Sequence, residues 1–131
     1  METDKKQISE PTFTHLNVHS HYSFLNGLSK IPKLILKAQK EGMYSMALTD
    51  LSGMFGIKEF LNTVEKMNAN RAEGEPTFKP IVGMDVYCAQ RTLYDKSCTN
   101  WEKDPLTNEK YLVNYAGWRL TLLAKNLQGY Y

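Results

Sequence analysis

At 131 residues and 15.1 kDa, the chain is long enough for one domain and too short for two ordinary ones. Charged residues make up 23% and hydrophobic residues 42%, which excludes a disordered or fibrous chain. A net charge of +2 is too small to argue for nucleic-acid binding from bulk charge, and no apolar run approaches membrane-spanning length. The polar start, Met1-Glu2-Thr3-Asp4-Lys5-Lys6, lacks the apolar stretch of a secretory signal. Cys88 and Cys98 are too few and too widely spaced for a disulfide framework or a metal knuckle, so a reducing cytoplasmic setting is expected.

Residues 1–12 are polar, include Pro11 and read as a frayed tail. From Phe13 to Ser20 the alternation predicts a strand with Leu16 and Val18 on one face. Phe13, His15, Asn17, His19 and, at the exit, His21 fall on the other, so all three histidines of the protein share it. Ser29 is the expected N-cap of a helix reaching about Glu41, with Ile31, Leu34, Ile35 and Ala38 as its buried stripe and Gly42 as its stop. Ser45 to Thr49 reads as a short strand covered on both faces. A second helix is predicted over Ile57 to Met67, where Ile57, Phe60, Leu61, Val64 and Met67 repeat the helical spacing. Residues 68–79 read as loop, and Pro80 to Tyr87 as a third strand that tolerates proline only at its start. Residues 90–110 read as a long charged, irregular loop holding Trp101 and Pro105. Trp118 to Ala124 is the fourth strand, and Asn126 is placed to cap a further helix. The order β-α-β-α-β-loop-β predicts an α/β fold with a mainly parallel sheet.

In such folds ligands gather at the carboxyl ends of parallel strands. The first strand brings His19 and His21 there, with His15 and Asn17 behind them; the second ends at Asp50, and the third carries Asp85. Arg119 opens the fourth strand, and lies at the same rim only if that strand returns antiparallel to the third. Histidines and carboxylates converging from separate strands point to a divalent-metal site. The competing reading gives the histidines structural hydrogen bonds and has the two aspartates cap the helices that follow. Spacing alone leaves both open. Lys30, Lys33, Lys37 and Lys40 line one face of the first helix and read as a solvated face, with phosphate contact as the alternative. The tyrosines and Trp101 near the 87–118 excursion read as half-buried loop anchors, with an interaction surface as the alternative.

Four segments, in order, carry a resemblance. Residues 13–27 (FTHLNVHSHYSFLNG), 47–56 (ALTDLSGMFG), 79–87 (KPIVGMDVY) and 120–126 (LTLLAKN, followed by Gly129-Tyr130) resemble the PHP (polymerase and histidinol phosphatase) domain. More narrowly, they are similar to the PHP domain that opens the alpha subunit of bacterial DNA polymerase III. The resemblance implies a seven-stranded β/α barrel, of which residues 13–131 would be the N-terminal part. It also implies a metal site at the barrel mouth in active members, where histidines and carboxylates hold two or three divalent ions for phosphoester hydrolysis.

The positions matching that site are His15, Asn17, His19, Asn26, Asp50, Leu51, Asp85 and Arg119, and several depart from the pattern. Asn17 stands in the usual His-x-His pair, Asn26 where an Asp is common, Leu51 where the Thr-Asp-His-Gly motif has its histidine, and Asp85 where Glu is usual. Arg119 stands where a histidine is common. An Asn amide is a poor ligand for zinc, Leu51 has no donor atom, and Arg119 brings a fixed positive charge. Even supporting groups are worth about 10–100-fold in metal affinity. A degenerate site without a catalytic metal cluster is therefore expected, with His19, Asp50 and Asp85 the weak candidates for a single ion.

The resemblance thus implies a structural module of a cytoplasmic replicative polymerase, without a cofactor of its own. Template-directed synthesis and its Mg2+ would belong to the remainder of the alpha subunit, which is also the first expected partner. DNA would be reached through that parent, a proofreading exonuclease subunit is a further expected partner, and no membrane is involved. The rival is an active phosphoesterase, a 3'-5' exonuclease or small phosphatase, using Zn2+ or Mn2+ on His15, His19, His21, Asp50 and Asp85. A partial barrel would also leave a sheet edge open, so self-association is expected.

Overall fold

The computed structural model describes residues 13–89, 92, 94, 99–114 and 117–131. The expected tail over 1–12, and Cys98, lie outside the described residues. In chain order the elements are α1 (Ile31–Lys40), β1 (Ser45–Leu48), α2 (Ile57–Ala69), β2 (Lys79–Cys88), β3 (Thr99–Lys103), β4 (Lys110–Asn114), β5 (Trp118–Leu123) and α3 (Leu127–Tyr130).

Helical periodicity places the core. Ile31, Ile35 and Ala38 of α1 and Ile57, Phe60 and Val64 of α2 are buried, and they pack with Met43, Met46, Leu48 and Phe78 into one cluster. Burying side chains of this size stabilises by roughly 1.5–3 kcal/mol each. Helix α1 is not capped by Ser29. Lys30 is the N-cap and makes no side-chain cap bond, and Pro32 sits in the first turn, where a missing N–H costs nothing. The stop at Gly42 is as expected: its φ of 79° is left-handed, its N–H donates to the Gln39 carbonyl, and the next N–H, from Met43, donates to Ala38. Met43 and Ala38 then bury together, so the turn that ends the helix also seals the core. At the other end of the chain, Asn126 caps α3 as predicted, its side-chain oxygen accepting from the Gly129 N–H at 2.9 Å.

Three strands form one sheet in the order β1-β2-β5. β1 pairs with β2 in parallel, Ser45 opposite Lys79 through Leu48 opposite Val82. β2 pairs with β5 antiparallel, Gly83 opposite Leu123 through Cys88 opposite Trp118. The sheet is therefore mixed, not mainly parallel. The reason lies in the connections: α2 provides the crossover that parallel pairing needs, whereas no helix separates β2 from β5 among the described residues.

Two further expectations are corrected. The 90–110 segment is not wholly irregular, because β3 and β4 pair antiparallel into a hairpin, Thr99 opposite Asn114 through Lys103 opposite Lys110. Asp104 sets its turn: one carboxylate oxygen accepts the N–H groups of Leu106 (2.7 Å) and Thr107 (3.3 Å), and Asn108 adopts a left-handed φ of 61°. Trp101, expected as a half-buried anchor, is 66% exposed. Secondly, residues 13–20 do not form a regular strand. They run beside β1 with a single parallel bridge, His15 to Met46, and Leu16 is half exposed. The segment's carbonyls accept backbone N–H groups, His15 from Ala47 at 2.8 Å and Val18 from Thr49 at 2.9 Å. Two of its own N–H groups go instead to side chains: Thr49 Oγ1 accepts the Val18 N–H at 2.9 Å, and Asp50 accepts the Ser20 N–H at 2.6 Å.

Candidate functional site

The antiparallel return of β5 brings Arg119 to the rim where β2 carries Asp85. Opposite Asp85 on β5 stands Thr121, and opposite Tyr87 stands Arg119. Side chains two apart on a strand share a face, so Arg119 and Thr121 both reach the Asp85 carboxylate. Thr121 Oγ1 donates to Oδ1 at 2.6 Å, and an Arg119 terminal nitrogen donates to Oδ2 at 2.7 Å. From the other side come Asn17, whose amide nitrogen lies 3.4 Å from both oxygens and donates to Thr121 at 2.8 Å, and His19, whose Nε2 is 2.8 Å from Oδ2. The same Nε2 lies 3.2 Å from Arg119. One ring nitrogen cannot donate to Asp85 and accept from Arg119 at once, and donation to the carboxylate is the charge-assisted choice.

Asp85 is 1% exposed, whereas the Arg119 side chain is 47% exposed. Burial pushes the Asp85 carboxyl up, but donation from Thr121, Arg119, His19 and Asn17 outweighs it and brings the carboxyl from 3.8 down to about 2. The group is thus an anion held by one permanent cation and three further donors.

Asp50 has a different task. Its carboxylate accepts the Ser20 N–H (2.6 Å), the Ser20 hydroxyl (2.8 Å) and the Ser23 hydroxyl (2.7 Å), while the Leu51 N–H donates to Ser23 Oγ at 3.0 Å. Both serines are fully buried. This clamp shapes the 20–29 loop, in which Leu25 takes a left-handed φ of 62° and Gly27 packs against the Ser20 carbonyl where a Cβ would collide. Asp50 therefore caps no helix: α2 starts from Gly56 without a side-chain cap. It meets Asp85 only through the backbone, the Asp85 N–H donating to the Asp50 carbonyl at 3.1 Å.

Of the sequence-predicted positions, the structure gathers Asn17, His19, Asp85 and Arg119. It does not add the others. The His15 ring stands edge-on to Phe13, the His21 ring packs against Tyr22, and Asn26 donates to the Phe24 carbonyl. Leu51 contributes only backbone, bridging to Asp85. Lys30, Lys33, Lys37 and Lys40 are exposed on α1, with Lys37 paired to Glu41 at 2.7 Å. Sequence reasoning missed Thr121, Ser20 and Ser23. Thr121 was detectable as the residue two beyond Arg119 on one strand face, but the serines carried no periodic signal. Among the described residues no three His, Cys, Asp or Glu side chains gather as a metal-holding group.

Comparison with known proteins extends this picture. The PHP domain family profile matches residues 15–131. The chain is 34% identical to the DNA polymerase III subunit alpha of Vibrio cholerae over 94% of its own length, and 36% identical to that of Borreliella burgdorferi over 90%. The match to the Buchnera aphidicola protein of the same name is 33% over 94%. The chain covers 8% of each of these relatives, so it spans less than a tenth of their length.

The lowered Asp85 pKa has a consequence for stability. Its contribution is complete above the unfolded value near 3.8 and is lost as pH falls through about 2. Comparing urea unfolding of the wild type and Asp85→Asn across acid pH should show their stability difference shrinking by roughly 2 kcal/mol between about pH 4 and pH 2. A difference that stays constant through that window would refute the ion-pair assignment.

Proposed function

The chain belongs to the PHP domain family, and from that membership we propose that it is the N-terminal PHP segment of a bacterial replicative polymerase alpha subunit, serving as scaffold rather than hydrolase. The observation that carries this is the occupancy of the Asp85 carboxylate by Arg119, Thr121, His19 and Asn17.

A PHP-type cluster of two or three divalent ions needs several carboxylates and imidazoles directed at one point, with their negative charge free to neutralise the metal. The residues present do not fit that group. Asp85 is already neutralised by a guanidinium, the Asp50 carboxylate is filled by serine and backbone donors, Leu51 has no donor, and the imidazoles of His15 and His21 pack elsewhere. Template-directed synthesis and its Mg2+ are assigned to the rest of the parent, which accounts for more than nine-tenths of the relatives' length.

The scaffold reading also accounts for surface that this chain leaves bare. On β5, Trp118 is 71% exposed and Leu120 and Leu122 are each 48% exposed, on the face opposite Arg119 and Thr121. Among the described residues β5 pairs only with β2, leaving an open edge. In the parent, the remaining strands and helices of a seven-stranded barrel would cover both, and the outer surface would face the polymerase core and a proofreading exonuclease subunit, in the cytoplasm. Without that cover the isolated chain should self-associate through the edge. Light scattering should then show mass rising with concentration; a monomer at every concentration would contradict it.

The function itself is tested by metal content and nuclease activity. After purification in buffer containing zinc or manganese, the chain should retain no stoichiometric metal and release no nucleotides from single-stranded DNA. Two or more tightly held ions per chain, or metal-stimulated nucleotide release, would establish the phosphoesterase alternative instead.

A further inference from the structure

The β3-β4 hairpin is unexplained by the scaffold role. Its two strands form a sheet of their own, separate from β1-β2-β5, and a lone two-stranded ribbon is only marginally stable in water. Yet it carries a feature that weakens it further. Lys103 and Lys110 stand directly opposite each other in the final pair before the turn, and like charges in that position repel. Trp101 lies two residues from Lys103 on the same face and is 66% exposed. The register positions of that face are Thr99, Trp101, Lys103, Lys110, Leu112 and Asn114, with no carboxylate among them. Glu102 belongs to the other face, and one oxygen of the Asp104 carboxylate is taken by the turn N–H groups. Neither lysine has an ion-pair partner among the described residues.

We propose that this face of the hairpin binds single-stranded nucleic acid, the bases stacking on Trp101 and the phosphates lying between Lys103 and Lys110. The charge pattern selects the occupant. An apolar protein partner would gain nothing from two opposed lysines, whereas a polyanion converts their repulsion into attraction from both sides. A bare indole beside them supplies the sequence-tolerant stacking surface on which single strands are held. The inference goes beyond the scaffold role, which would stand if it failed.

The test uses the 131-residue chain and a fluorescein-labelled oligothymidylate, with affinity read by anisotropy at several salt concentrations. The wild type should bind at low salt. Trp101→Ala should weaken binding by about tenfold, while Trp101→Phe, which keeps a stacking ring, should retain most of the affinity. Lys103→Glu places an attractive cross-strand pair opposite Lys110, so it firms the ribbon while removing a phosphate contact. It should weaken binding and make the log-log salt slope shallower by about 0.7 or more. Absence of binding, wild-type affinity in both Trp101→Ala and Lys103→Glu, or a loss seen only when Lys33 and Lys40 of α1 are reversed would each overturn the proposal.

Discussion

A carboxylate buried as deeply as that of Asp85 can stay ionised only if its surroundings replace the water it has lost, and much of this molecule is arranged around that requirement. Four donors from two parts of the chain converge on two oxygen atoms: Asn17 and His19 from the extended N-terminal segment, and Arg119 and Thr121 from β5. These contacts also hold the architecture in register. The 13–20 segment has one ladder bridge to β1 and accepts two backbone bonds, from Ala47 to the His15 carbonyl and from Thr49 to the Val18 carbonyl. The side chains of Thr49 and Asp50 hold its Val18 and Ser20 N–H groups, and Asp85 its two inward polar groups. The antiparallel return of β5 is what allows its Arg and Thr to reach β2.

On the proposed scaffold reading, the same knot stands where active members of the family would hold metal. A cluster of divalent ions and a half-exposed guanidinium answer one electrostatic problem in different ways, each neutralising carboxylate charge at the end of a sheet. They exclude each other, because a carboxylate oxygen committed to Arg119 at 2.7 Å is not available to a metal, and the permanent charge of Arg119 repels a second cation. Asp50 shows the complementary outcome. Donors from Ser20 and Ser23 turn an acidic motif residue into the clamp of a loop. Both aspartates keep their motif positions and both have taken on structural work.

Where burial follows a period, the sequence was readable. Helices α1 and α2 and strands β1, β2 and β5 fall where their apolar spacing places them; the helices and β1 turn that apolar surface to one core, whereas β5 keeps the alternation with its apolar face exposed. The motif departures at Asn17, Leu51 and Arg119 change donor chemistry whatever the geometry, and the expectation of a site without a metal cluster rests on them. What escaped was set by single side chains rather than by periodicity. The hairpin depends on the Asp104 turn inside a charged segment with little apolar alternation. The N-terminal segment alternates like a strand, but the side chains of Thr49 and Asp50 take its Val18 and Ser20 N–H groups. The direction of β5 was undetermined because an inserted hairpin, not a helix, joins it to β2. His21 was grouped with His19 by strand alternation, and it parts from it because the segment turns at its exit, while His15 keeps its bridge to β1 and stands edge-on to Phe13.

The account depends on Asp85 being satisfied from within the chain, and the carboxyl carbon of that residue reports on this directly. Following its 13C resonance through a pH titration, with and without added zinc, should give a titration near pH 2 that zinc leaves unmoved. A carboxyl that titrates near 4, or a resonance that shifts stoichiometrically with zinc at neutral pH, would show that Arg119 does not hold it and would contradict the scaffold reading.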